Sequence, residues 1–105
     1  MALAPASSHD VAHAARTVRD GRQAPYVVGF YLVPDFPLMV FAAAIEPLRS
    51  ANRLRGDQLY EWRLYSRDGG PVRASNGVDI AVHAAADEDT AALDLLLACA
   101  GTRDA

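Results

Sequence analysis

The chain holds one cysteine, Cys99, and all ten of its Lys-or-Arg residues are arginine. A single thiol cannot close an intrachain disulfide, so the cross-linked framework of small secreted domains is excluded and a reducing cytoplasm is the simplest compartment. The missing lysine accompanies many alanines, as GC-rich codon usage would produce without any functional demand. Positive charge is also scarce overall: ten basic residues face thirteen acidic ones, for a net charge of −3 and a pI near 5.4. Surfaces that hold nucleic-acid phosphates non-specifically are built from clustered positive charge, so this segment does not carry one. No apolar run reaches the length needed to span a bilayer; the longest covers residues 36–45. The N-terminus also lacks a basic region followed by an apolar core, so neither export nor membrane insertion is expected. No Cys/His cluster has zinc-ligand spacing, and nothing calls for a metal or cofactor.

What is present is an ordinary globular composition, 51% hydrophobic and 22% charged over 105 residues, which fits one domain at most. Its most telling stretch is residues 27–54, VVGFYLVPDFPLMVFAAAIEPLRSANRL. There an apolar strand passes through a Pro-bracketed loop directly into a long amphipathic helix. Residues 26–33 are apolar on both alternations, the mark of a strand covered on both faces and hence central in its sheet. From Leu38 the residues Leu38, Phe41, Ala42, Ile45, Leu48 and Leu54 recur as the sheet-facing side, and Asn52, Arg53, Arg55 and Gly56 supply a stop. Pro47 inside this helix removes one backbone donor and predicts a kink or local loosening near Ala43. Strand, loop and helix open a βαβ unit, so the expected class is α/β with a parallel sheet. The ligand crevice of such a sheet lies at the strand's carboxyl end, where Pro34, Asp35, Phe36 and Pro37 fall.

On either side the signals vary. Residues 1–25 mix small, polar and charged types without a sustained apolar face and read as a flexible extension. A short helix over 9–19, capped by Ser8, would set His9 and His13 at i, i+4, a metal-ligand spacing with no third ligand beside it. Residues 60–66 alternate Tyr60, Trp62, Leu64 and Ser66 against Glu61, Arg63 and Tyr65, a half-buried strand. Asn76-Gly77, flanked by Val72–Ser75 and Val78–Val82, predicts a small antiparallel hairpin. Residues 83–92 read as a loop or single helical turn, and Leu93–Cys99 as a second buried strand.

The VGFxLVPxF strand and loop, the EPLRxANRL helix end at Glu46–Leu54, the DGGPVRASNG segment at Asp68–Gly77 and the LDLLL strand together resemble the N-terminal part of GlxA-type AraC-family transcriptional regulators. The resemblance covers residues 26 to about 99. It implies a PfpI-like sensor domain with a flavodoxin-like, class I glutamine amidotransferase-like three-layer sandwich around a parallel sheet. In this chain that sandwich would be an incomplete N-terminal half, residues 26–105, carrying the small hairpin. It further implies a small-molecule effector, homodimers in intact relatives, and DNA binding only through a helix-turn-helix domain missing here. The sequence departs from the family pattern at Asp35, where relatives carry Gly, and at Ala100-Gly101, where they carry a Gly pair. An Asp at the first position enters a tight loop that demands glycine-like backbone angles. The drift after Cys99 reads as a truncation.

The resemblance also frames the candidate site. Superfamily enzymes place a reactive Cys on a strand-to-helix elbow, but Cys99 follows a Leu run on an earlier strand and reads as a buried thiol. They carry a Glu near the start of the first helix, where this chain reads Leu38-Met39-Val40. Sensing without catalysis is therefore the leading reading. Asp35 and Phe36 are crevice candidates for an alkylammonium group, held by charge and cation–π contact, with a helix-capping role for Asp35 as the alternative. Glu46 is a third ligand candidate, because resemblance to sensors of arginine, betaine or carnitine points to a cationic nitrogenous effector. Its structural alternative is an ion pair with Arg49 or Arg63. The second functional reading is a fragment of a PfpI-like cysteine enzyme of amidase, hydratase or glyoxalase type, and the third an interaction module that pairs with a full-length regulator.

Overall fold

The computed structural model describes residues 2–5, 18–19, 22–87 and 92–101. Strand β4 (Tyr26–Leu32) is the middle of a five-stranded sheet, because every second residue on each of its faces meets apolar neighbours. Val28, Phe30 and Leu32 point into one cluster, Val27 into another, and all four are buried. On one side β4 pairs in parallel with β5 (Tyr60–Ser66), from Tyr26 opposite Tyr60 to Tyr31 opposite Tyr65. On the other it pairs in parallel with β9 (Leu95–Cys99), from Val28 opposite Leu95 to Leu32 opposite Cys99. Beyond β5 lies the parallel two-residue strand β8 (Ala84–Ala85), and beyond β9 the antiparallel strand β1 (Ala2–Pro5). Two short antiparallel pairs stand outside this sheet. They are β2 (Val18–Arg19) with β3 (Arg22–Gln23), and β6 (Val72–Arg73) with β7 (Asp79–Ile80).

Helix α1 (Leu38–Arg55) crosses between β4 and β5. It presents Leu38, Phe41, Ala44, Ile45 and Leu48 to the cluster formed by Val28, Phe30, Leu32, Phe36, Leu64, Val72, Ala74 and Cys99. The Phe41 ring stands edge-on to both Phe30, at 5.5 Å between centroids, and Phe36, at 6.2 Å, so one aromatic on the helix locks strand and loop together. The helix ends where Gly56 turns left-handed at φ 65°, and the Gly56 and Asp57 amides donate back to the Arg53 and Asn52 carbonyls. Arg53 and Arg55 occupy its last turn, where cations complement the negative end of the macrodipole. The helix continues through Pro47, whose missing N–H leaves the Ala43 carbonyl without its helical donor.

The expected α/β class, the central strand, the βαβ crossover and the Asn76-Gly77 hairpin are all borne out. In the hairpin, Val72 lies opposite Ile80 and Arg73 opposite Asp79, with Gly77 at φ 90°. Three details differ from the sequence reading. Leu54 is 87% exposed, since at about 100° per residue it falls about 160° around the helix from Leu38. Tyr65, placed on the solvent side by alternation, is 1% exposed, because it packs with Val27 and Leu93 on the sheet face opposite α1. Ala84-Ala85 forms a strand where a loop or turn was read; two alanines carry too little hydrophobic pattern to announce it. Within the extension read over 1–25, backbone pairing creates β1, β2 and β3. The helix read over 9–19, with His9 and His13, lies outside the described residues apart from Val18–Arg19, which are strand.

Candidate functional site

In a parallel sheet a ligand crevice opens where chain connections leave two neighbouring strands in opposite directions. Here α1 carries the chain from β4 toward β5, whereas β9 lies on the other flank of β4, so the switch point falls between the carboxyl ends of β4 and β9. Two loops meet there. Val33–Pro37 follows β4, Ala100-Gly101 follows β9, and the Val33 amide donates to the Cys99 carbonyl at 3.0 Å. A Cβ built on Gly101 would stand 3.0 Å from Pro37 Cδ and 3.2 Å from the Asp35 carbonyl oxygen. A side chain at position 101 would press on the Asp35–Pro37 loop, so glycine fits this approach best.

The hairpin of β6 and β7 braces the same loop. The Asp35 amide donates to the Arg73 carbonyl and the Ser75 amide to the Phe36 carbonyl, both at 2.9 Å. The DGGPVRASNG motif becomes a set of physical requirements. Asp68 accepts from the Gly70 amide at 2.9 Å to close the turn, and the Ser66 hydroxyl, itself buried, donates to the Gly70 carbonyl at 2.7 Å. Gly69 sits at φ 84°, and a Cβ built on it would stand 3.2 Å from the Ala85 amide nitrogen of β8. Val72 and Ala74 are buried in the core, and Arg73 pairs with Asp79 at 3.0 Å across the hairpin. The Arg73 guanidinium holds the Asp79 carboxyl below its ordinary pKa.

Of the three candidate residues, only Asp35 presents its side chain to solvent at this crevice. Its backbone is left-handed, at φ 69°, the sole non-glycine with positive φ among the described residues. The glycine-like angles expected of this loop are therefore present with a Cβ on them, a conformation that Asp tolerates better than most residues but at some strain. Pro37 is the N-cap residue of α1, and no side chain caps the helix. Phe36 is fully buried and edge-on to Phe41, so its ring forms the floor under the loop. Glu46 lies on the exposed side of α1 and binds Arg49 through both carboxylate oxygens, at 2.8, 3.1 and 3.2 Å. That contact lowers the Glu46 pKa and raises that of Arg49. The structural alternative for Glu46 is thus the one observed, while Arg63 pairs with Glu61 at 3.1 Å.

Cys99 ends β9 with no exposed surface, and burial pushes its thiol pKa up, away from the reactive thiolate. Among the described residues no group of three or more His, Cys, Asp or Glu side chains could hold a metal ion. Two further residues position the sheet. Asn52 uses its amide group three times: its Nδ2 donates to the Tyr60 carbonyl, and its Oδ1 accepts from the Leu59 and Tyr60 amides, all at 2.9 Å. His83 strengthens the β5 edge, since the Leu64 amide donates to His83 Nδ1 and the His83 amide donates to the Leu64 carbonyl, both at 2.8 Å. The sequence reading took Asn52 only as part of a helix stop and passed over His83. The Asn in EPLRSANRL, one turn before a C-cap glycine, was the available signal for the first; nothing local marks the second.

No protein-family model matches the chain. It is 43% identical over 77 residues to the HTH-type transcriptional regulator GbdR of Pseudomonas aeruginosa, an overlap covering 73% of this chain and 21% of that protein. It is 45% identical over 53 residues to the HTH-type transcriptional regulator GlxA of Rhizobium meliloti, covering 50% of this chain and 16% of that one. Its fold matches the crystal structure of an AraC family transcriptional regulator from Pseudomonas putida with a TM-score of 0.69 at 33% identity, over 75% of this chain and 42% of that chain. The resemblance drawn from the motifs is therefore borne out, and the chain spans about a fifth of the length of GbdR and less of GlxA.

Proposed function

We propose that this chain senses a small effector as part of an AraC-family transcriptional regulator, without catalysing a reaction on it. The carrying observation is the exposed Asp35 carboxylate, held in a left-handed loop at the switch point of a sheet shared with such a regulator. A strained polar residue braced by neighbouring backbone, with an aromatic floor beneath, is a preorganised contact for a ligand of opposite charge. The effector class that fits is a small cationic nitrogen compound. Phe36 supports the loop from below, and Glu46, already engaged by Arg49, is a secondary contact at most. A non-catalytic role is supported by the buried, proton-retaining Cys99 and by the apolar residues Leu38, Met39 and Val40 where a thiol-activating carboxylate would stand. DNA contact belongs to another part of the regulator, because this segment is acidic and its described residues include a single helix. No helix among the described residues is long and apolar enough to cross a membrane.

The test is isothermal titration calorimetry of the chain with arginine, glycine betaine and carnitine. One of these should bind, and Asp35→Asn should weaken it by about tenfold or more, near 1.4 kcal/mol. Binding that Asp35→Asn leaves unchanged would remove Asp35 from the site, and silence with all three would overturn the cationic assignment.

A further inference from the structure

We propose that the peptide plane between Pro34 and Asp35 is a two-state element that reads the charge of the ligand at this crevice, the β6–β7 hairpin holding it in the state that accepts a cation. The Phe36 amide donates to the Val33 carbonyl at 3.0 Å, so residues 33–36 form a β-turn with Pro34 and Asp35 at its centre. Proline holds φ near about −65° at the first central position, which excludes the mirror-image turns. The φ of 69° at Asp35 excludes type I. The turn is therefore type II, a form that calls for glycine or asparagine where Asp35 stands. Type I has the same ends and returns Asp35 to negative φ, and the two forms interconvert when the central peptide turns over.

The surrounding bonds confine this freedom to one peptide. The Val33 amide is held by the Cys99 carbonyl at 3.0 Å, and Phe36 is fully buried, its carbonyl accepting from the Ser75 amide at 2.9 Å. The bond from Phe36 to Val33 is common to both turn types. What selects type II is the Asp35 N–H, which donates to the Arg73 carbonyl at 2.9 Å and would leave the hairpin if the peptide turned over. One strained residue is set against one hydrogen bond, effects of similar size, so the two states lie close in energy.

The two states offer a ligand opposite groups. In a trans peptide C=O and N–H point in opposite directions, so with the Asp35 N–H on the hairpin the Pro34 carbonyl points away from it. Type II thus presents two kinds of oxygen acceptor on adjacent exposed residues, the Pro34 carbonyl and the Asp35 carboxylate. Type I puts an N–H donor where that carbonyl was and turns the carbonyl toward that of Arg73, acceptor against acceptor. A cation therefore favours type II and strengthens the bond to the hairpin, and a ligand can move the equilibrium only by such a difference between states. This deepens the effector reading and rests on it for the ligand's choice, while the two turn states exist without a ligand.

NMR of the full chain tests it. The contact between Pro34 Hα and the Asp35 amide proton is short in type II and long in type I. The unaltered chain should show a strong contact, with relaxation dispersion at the Asp35 and Phe36 amides from the minor type I state. Asp35→Gly should keep the contact and abolish the dispersion. Asp35→Val, β-branched at positive φ, should weaken the contact at least about threefold. The Ala74 amide, bonded to Val78 inside the hairpin at 2.8 Å, should stay protected from exchange, showing that the hairpin remains folded. Arginine, glycine betaine and carnitine are then titrated in turn, and the one that binds should suppress the dispersion of the unaltered chain. An Asp35→Val turn that keeps the strong contact, or an unaltered turn without dispersion, would overturn the two states. A compound that binds and leaves the dispersion unchanged would overturn the reading of charge by the peptide. Failure of all three to bind would overturn the effector reading itself, and the Asp35→Val contact decides the two-state peptide independently.

Discussion

Single residues in this chain are explained by the backbone they serve more than by the groups they carry. Asp35 is the sharpest case, because its φ of 69° belongs to a region that glycine enters freely and a residue with a Cβ enters at a cost. Asp35→Gly should raise stability by about 0.5–1 kcal/mol in urea unfolding, the relief of strain being partly offset by glycine's greater freedom when unfolded. A loss of stability would mean that the carboxylate makes a favourable contact which outweighs the strain. The same substitution removes the proposed effector contact, so stability and response should move in opposite directions, as they often do at functional sites. Gly29 makes the converse point: a Cβ there would come within 2.5 Å of Leu93 Cδ1 and 3.2 Å of Tyr65 Cε2. The strand residue with no side chain is what lets the second apolar cluster close over β4.

At the scale of elements, the Asn52 side chain ties the end of α1 to the start of β5. Leu59 precedes a strand and Tyr60 begins it, so their amides have no helix to serve, and the Asn52 side chain supplies the acceptor that both need. Asn52→Ala would leave two donors and the Tyr60 carbonyl without these partners. The expected loss is about 2–3 kcal/mol in chemical denaturation, well above the value for an exposed helix position. A loss below about 0.5 kcal/mol would show that water replaces the amide without cost. The helix itself was legible because its sheet-facing side repeats at three and four residues, and the hairpin because Asn-Gly accommodates the positive φ that its turn requires. Leu54 was misread for a related reason. Six residues beyond Leu48 is not a helical repeat, so an apolar residue there does not extend the buried side.

Over the whole molecule, cover is unequal. Among the described residues, one sheet face carries α1 and most of the buried side chains, while the other carries the smaller cluster of Val27, Tyr65 and Leu93 with partly buried neighbours. Protection against hydrogen exchange should follow this arrangement. The amides of Val28 to Leu32 in the central strand should exchange slowest, and those of β1 and β8 at the two sheet edges at least about a hundredfold faster. Uniform rates across the five strands would mean that the sheet opens as one unit. The sequence alone determined the α/β class, the centrality of β4, the crossover and the hairpin, because hydrophobic periodicity and turn chemistry are local and act within about ten residues. It also marked Asp35 as a departure where glycine angles were needed, and Cys99 as a buried thiol. Only the tertiary structure decided that Phe36 is buried beneath the loop, that Glu46 is held by Arg49, that Tyr65 is buried, and that Asn52 and His83 serve the neighbouring strand. Those outcomes depend on which distant segments arrive beside a residue, and chain that lies near in space but far in sequence leaves no periodic trace.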